Sequence, residues 1–187
     1  MKRKPAADAN RARALSDWQQ VLRDRLPLYG HRNWIVVADS AYPAQSRDGI
    51  ETIVASADHR AVVETVFKVI RSSRHVKPVV YTDQELRFVE EQDAPGISSY
   101  RAWLSQLLGN VNVLPHEEII SKLDRAGQTF RVLIVKSNMT MPYTSVFFEL
   151  DCAYWNADAE RRLRSAMKNG VEAGAGAGAS GPTKKGR

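Results

Sequence analysis

The run Trp34-Ile35-Val36-Val37-Ala38 is the feature that most narrows the fold. It is continuously apolar, partly β-branched and too short for a buried helix, so it predicts a strand covered on both faces. Such a strand needs a layer of other elements above and below its sheet. The rest of the chain supplies them. Strands are predicted at IETIVA (50–55), VKPVVYT (76–82), FRVLIVK (130–136) and SVFFELDC (145–152), with a short one in VNVL. Pro78 marks an edge or a bulge in the second of these. Helices alternate with them. ALSDWQQVLRDRL places Leu15, Trp18, Leu22 and Leu26 near one face, and HRAVVETVFKVIRSS follows a capping residue, Asp58. Ser99 opens YRAWLSQLL, which Gly109 ends, and Pro115 starts a helix over HEEIISKLDRAG. The expectation is a single three-layer α/β domain with a mainly parallel central sheet, flanked by disordered basic tails. The boundaries read as a basic tail at 1–13, the domain at 14–156, a charged helix at 157–169 and a Gly/Ala-rich tail at 170–187.

The net charge of +6 calls for a decision about nucleic acid. Residues 1–13 carry +4 of it and residues 170–187 carry +2, which leaves 14–169 balanced. A nucleic-acid-binding domain usually carries its excess on the folded face, so no specific nucleic acid is expected as a partner. No apolar stretch approaches membrane-spanning length, and no apolar segment follows the basic start, so neither a membrane nor a secretory route is expected. The single cysteine, Cys152, allows no internal disulfide and fits a cytoplasmic setting.

Motif by motif, most chemistries drop out. The chain has no GxxxxGK[ST] and no GxGxxG after a strand, which argues against nucleotide binding of the usual kinds. It has no HExxH or CxxC, so no metal is expected, and no GxSxG elbow for a nucleophile. Acid–base chemistry by histidine remains. His59 and His75 lie near helix ends, where exposure or capping accounts for them. His31 differs: it follows Gly30 at the head of the first strand, whose far end carries Asp39. His116 follows Pro115 at a helix start. In parallel α/β sheets ligands lie beyond the carboxyl ends of the strands. Asp39, Thr82 and Lys136 sit at such ends, and Tyr42 and Tyr143 in neighbouring loops can hold hydroxyls.

GHRNWIVVADSAYP resembles the N-terminal signature of the ribose pyranase and fucose mutarotase family: Gly-His, a few polar residues, an apolar strand, Ala-Asp and a nearby proline. LPHEEI and FRVLIVKSNMTMPYTSVFFEL follow in the family's order, so the resemblance covers residues 15–152. It implies a cofactor-independent isomerase that interconverts ring or anomeric forms of a free monosaccharide. His31 would shuttle the proton and Asp39 would orient it or hold a hydroxyl, with His116, Tyr143, Ser145 and Tyr42 binding the sugar. It also implies a homo-oligomer, a pentamer or decamer with sites between subunits. The chain departs from the family at Ser145, where asparagine is usual, at Met139, where a carboxylate is usual, and at Ile120, where a lysine often stands. It reads as a divergent member, and a non-catalytic sugar-binding or sensing module on the same scaffold is the alternative. Trp103 reads as core, and Tyr154 and Trp155 as more open.

Overall fold

The computed structural model describes residues 18–176, with side chains to 169. The chain divides into two compact units at Cys152 and Ala153. In the first, residues 18–25 are helical (α1), and β1 (Trp34–Ala38), β2 (Ile50–Val54), α2 (His59–Arg71), β3 (Val76–Asp83), α3 (Ile97–Leu108), β4 (Asn112–Leu114), α4 (His116–Gly127), β5 (Val132–Lys136) and β6 (Val146–Cys152) follow. The six strands form one sheet in the order β2-β5-β1-β6-β3-β4. The β1–β5, β2–β5 and β3–β4 pairs are parallel, and β6 runs antiparallel to both β1 and β3. The mainly parallel α/β domain is therefore as expected.

Its three layers follow from the strand period of two. All of β1 is buried. Ile35 and Val37 join a core with Leu22 of α1, Val62, Val66 and Ile70 of α2, and Ile97, Tyr100 and Leu104 of α3. Trp34, Val36 and Ala38 point the other way, against Ile119 and Leu123 of α4. Those two are one helical turn apart, so α4 covers that face with a single stripe. Pro78 pairs with Leu150 of β6, and β4 reaches β3 only at residues 81–83, so the missing N–H of Pro78 disrupts no second ladder.

The capping chemistry holds at two helix ends and fails at a third. Asp58 Oδ1 accepts the N–H of Ala61 at 3.1 Å, and Gly109, at φ +64°, ends α3. Ser99, however, does not open α3. The helix begins at Ile97 after Gly96 at φ +96°, and the Glu91 carboxylate accepts the N–H groups of Gly96 and Ser98. A carboxylate on those free N–H groups also complements the positive end of the helix. Trp103, read as core, is half-buried: its indole N–H donates to Glu64 at 3.1 Å, and Arg60 lies over its ring.

The second unit holds α5 (Ala157–Gly176). Asn156 caps it by accepting the Ala159 N–H, and Glu160 accepts from both Trp155 and Arg164. The helix runs past the expected end at 169, into the stretch expected to be a disordered tail. The basic start and the last eleven residues lie outside the described residues.

Candidate functional site

The parallel strands place their carboxyl ends at one edge of the sheet, where antiparallel β6 begins. Asp39 follows β1 there and Asp83 closes β3. His116 is the first residue of α4, and Tyr143 and Ser145 precede β6. Asp39 is the best supported of these. Its Oδ1 accepts the Ala41 N–H at 2.9 Å, its Oδ2 accepts the Ser145 hydroxyl at 3.0 Å, and its own N–H donates back to Ser145 Oγ at 3.3 Å. Ser145 is buried. Its hydroxyl is committed to Asp39, so this side chain acts on the edge by fixing the carboxylate.

His116 is held by two acids. Its backbone N–H donates to the Glu85 carboxylate, 3.0 and 3.1 Å from the two oxygens, and its Nδ1 lies 3.1 Å from Asp83 Oδ1. With Nδ1–H directed at Asp83, Nε2 is left to face outward. The bond from Asp83 raises His116 above its ordinary value, against some lowering by burial. Burial in turn raises Asp83, and the bond to His116 only partly offsets it. Asp83 Oδ2 is buried without a hydrogen-bond partner among the described residues. Tyr143 meets the His116 ring edge-on, with centroids 5.7 Å apart, and remains 38% exposed. It does so at φ +56°, a left-handed conformation that costs a bulky residue on the order of 1 kcal/mol. Strain of that kind persists where surrounding contacts impose it, and here it presents an aromatic hydroxyl beside an imidazole.

Tyr42, the other tyrosine singled out from the sequence, is buried against Phe147, and its carbonyl accepts from Lys136 Nζ at 2.6 Å. Burial raises its phenol far above the ordinary value, with the charges of Asp83 and Asp39 adding to this, so it stays protonated. Tyr143 and Ser145, two residues apart, join the His116 and Asp39 ends of this edge.

His31 is elsewhere. It lies in the turn before β1, at the opposite edge of the sheet, where its Nδ1 is 3.2 Å from Asp151 Oδ1 at the end of β6. At about 3.3 Å per residue, β1 alone separates His31 from Asp39 by roughly 16 Å. One copy of the chain therefore assembles Asp39, Ser145, His116 and Tyr143, and leaves His31 out.

Three groups escaped the reading of the sequence. Asp83 and Glu85 were hidden because their partner, His116, is about thirty residues away; Asp83 occupies on β3 the same kind of position as Asp39 on β1, which was the available signal. His59 is the third. It is not exposed at its helix end but completely buried, and it ties three segments together. Its Nε2 donates to the Thr144 carbonyl at 2.9 Å, and its Nδ1 lies 2.7 Å from the Ser137 hydroxyl oxygen. The Tyr100 hydroxyl donates to the same Thr144 carbonyl at 2.6 Å. Ser137 N–H also binds the Ala38 carbonyl, so the network underlies Asp39 on one side and the Tyr143–Ser145 segment on the other.

The fold and site thus define an α/β domain with a carboxylate, a histidine–aspartate pair and a tyrosine gathered at its carboxyl edge. No protein-family model matches the chain, and no curated protein matches it. Solved structures do. RbsD of Bacillus subtilis, solved with D-ribose, is 16% identical, covering 81% of this chain and 98% of its own, with a TM-score of 0.46. The fucose mutarotase of Streptococcus pneumoniae, solved with L-fucose, is 17% identical, covering 72% of this chain and 91% of its own, with a TM-score of 0.45. FucU of Bifidobacterium longum is 12% identical, covering 70% and 92%, with a TM-score of 0.47. The chain is similar in fold to these structures. At such identities and scores the likeness goes no further, and the function rests on the residues of the site.

Proposed function

We propose that the protein is a cofactor-independent sugar isomerase that opens and recloses the ring of a free monosaccharide, at a site shared between two copies of the chain. One observation supports this reading: Asp39, His116 and Tyr143, from three motifs that stand in the order of the pyranase and mutarotase signature, gather at the carboxyl edge, with Asp83 behind His116. Carboxylate, imidazole and phenol are the groups that hold sugar hydroxyls. Asp39 accepts one hydroxyl, His116 Nε2 and the Tyr143 hydroxyl bind others, and Ser145 keeps Asp39 in place. His31, 56% exposed at the opposite edge, comes from a neighbouring copy. Near neutral pH an imidazole can both accept and donate a proton. His31 takes the proton of the anomeric hydroxyl and delivers one to the ring oxygen. The bond from the anomeric carbon to the ring oxygen breaks and a carbonyl forms. Reclosure by the same oxygen on either face exchanges anomers, and reclosure by another hydroxyl exchanges ring size. No net proton or electron is consumed.

A non-catalytic sugar-binding module is the second reading, and two details favour it. Ser145 spends its hydroxyl on Asp39 where the family's asparagine would offer an amide, and Met139 packs against the core where the family has a carboxylate. NMR magnetisation exchange between ring forms, over a panel of monosaccharides, separates the two readings. The isomerase accelerates exchange of at least one sugar, and Asp39→Asn lowers that rate roughly 10- to 100-fold, the worth of a charged hydrogen bond to a buried hydroxyl. Saturable binding without acceleration of any sugar would favour the module instead.

A further inference from the structure

The amino edge of the sheet carries a second built arrangement, around His31. Two hydrogen bonds pin the turn there: Arg32 N–H donates to the Leu150 carbonyl at 2.9 Å, and Leu150 N–H donates to the Asn33 carbonyl at 2.8 Å. They bring the head of β1 against the end of β6. Arg32 adopts φ +73° in that turn, and its guanidinium lies 5.8 Å over the Phe130 ring. From this position Arg32 Nε donates to His31 Nε2 at 3.1 Å. Arginine has no acceptor, so Nε2 must present its lone pair. The proton of the neutral imidazole is then on Nδ1, and Nδ1 points at Asp151 Oδ1. The other oxygen of Asp151 binds Lys77 Nζ at 3.2 Å, across the β3–β6 pair. Asp151, Lys77 and Arg32 are the charged groups bonded around the ring. Both contacts of His31 thus select the same tautomer, and two strands and a turn hold the groups that select it.

We infer that Asp151 is a positioning residue for His31: it holds Nδ1–H so that Nε2, once the exposed Arg32 side chain gives way to the sugar, is the atom that exchanges protons with it. This rests on the reading of His31 as the proton shuttle. A carboxylate behind an imidazole fixes both the ring's orientation and its tautomer, and it steadies the imidazolium once the proton has arrived. Asp151 is suited to this because it stays ionised. The Cys152 N–H, Lys77 and His31 together hold it below its ordinary value against the opposing effect of burial.

The test has two readouts on full-length protein. In 15N NMR of the imidazole nitrogens, native His31 should show a protonated Nδ1 and an unprotonated Nε2 in its neutral form. With Arg32→Leu also in place, so that Asp151 alone selects the tautomer, Asp151→Ala should move a large share of that population to the Nε2–H form, and Asp151→Glu should restore it. In the exchange assay Asp151→Ala should lower kcat about 10- to 100-fold with little change in KM, and Asp151→Glu should recover most of the loss. A tautomer unchanged by Asp151→Ala in the Arg32→Leu background would overturn the inference whatever the activity, and so would a shifted tautomer there with kcat intact in the Asp151→Ala enzyme. If the native protein accelerates no sugar, the isomerase reading fails by itself, and the nitrogen signals still decide whether Asp151 sets the state of His31.

Discussion

His31→Ala should abolish measurable acceleration of sugar ring exchange, a loss on the order of 10²- to 10⁴-fold, as befits removal of a general acid–base group. The fold should be unaffected. The His31 side chain is 56% exposed and its partner Asp151 37% exposed, and an exposed ion pair of this kind contributes at most about 1 kcal/mol. In a protein of this size that corresponds to a change in Tm of about 4 °C or less. Exchange kinetics and a thermal melt of the same sample separate the two effects. Rates retained in His31→Ala would remove the residue from the mechanism.

His59→Ala should have the opposite profile, with a large effect on stability. It opens a cavity under the carboxyl edge and takes one partner each from Ser137 and Thr144, for a cost of about 3–5 kcal/mol and a fall in Tm of roughly 6–20 °C. His59 also gives the fold an acid-sensitive component whose sign is fixed. Burial pushes its imidazole down to about 4 from the ordinary 6.5, although the bond to Thr144 opposes this. Above pH 6.5 the residue is neutral in both folded and unfolded chains and adds no pH dependence. Below 6.5 the unfolded chain takes up a proton that the folded chain refuses, so stability falls until about pH 4. The total is about 3 kcal/mol, at roughly 1.4 kcal/mol for each pH unit. Urea titrations of the native protein and of His59→Gln between pH 7 and 4 isolate this contribution as the difference in slope. Equal slopes would mean that His59 is not held neutral by its surroundings.

The sequence was most legible where a local pattern settles the structure. The apolar run at 34–38 determines a doubly covered strand, Asp58 determines a helix start, and Gly109 determines a helix end at a positive φ. Ser99 misled because the groups that cap α3 come from Glu91, in the loop upstream, and no local rule sees a carboxylate reaching back over it. His59 was misread for a stronger form of the same reason. Position in a helix says where it starts, while Ser137, Tyr100 and Thr144, which decide its burial and charge, arrive from 41 to 85 residues away. Within the candidate site, Asp39, His116 and Tyr143 were legible through their motifs and their places at strand or helix ends. Asp39 was expected to orient His31 or to hold a hydroxyl, but five extended residues keep their flanks roughly 16 Å apart, and Asp151 takes the place beside His31. What the sequence did not show is how His31 is held, because Asp151 lies at the other end of the chain's fold, 120 residues on.

The central claim is a site divided between copies, and subunit complementation tests it most directly. One chain carries His31→Ala, with its carboxyl edge intact. The other carries Asp39→Asn with His116→Gln, and its His31 is intact. Each alone should be inactive in the exchange assay. Mixed in equal amounts, unfolded and reassembled together, they should recover activity, because about a quarter of the interfaces then pair an intact His31 with an intact carboxyl edge. Native protein carried through the same cycle gives the reference. A mixture as inactive as its parents, beside a native control that recovers, would contradict the shared site.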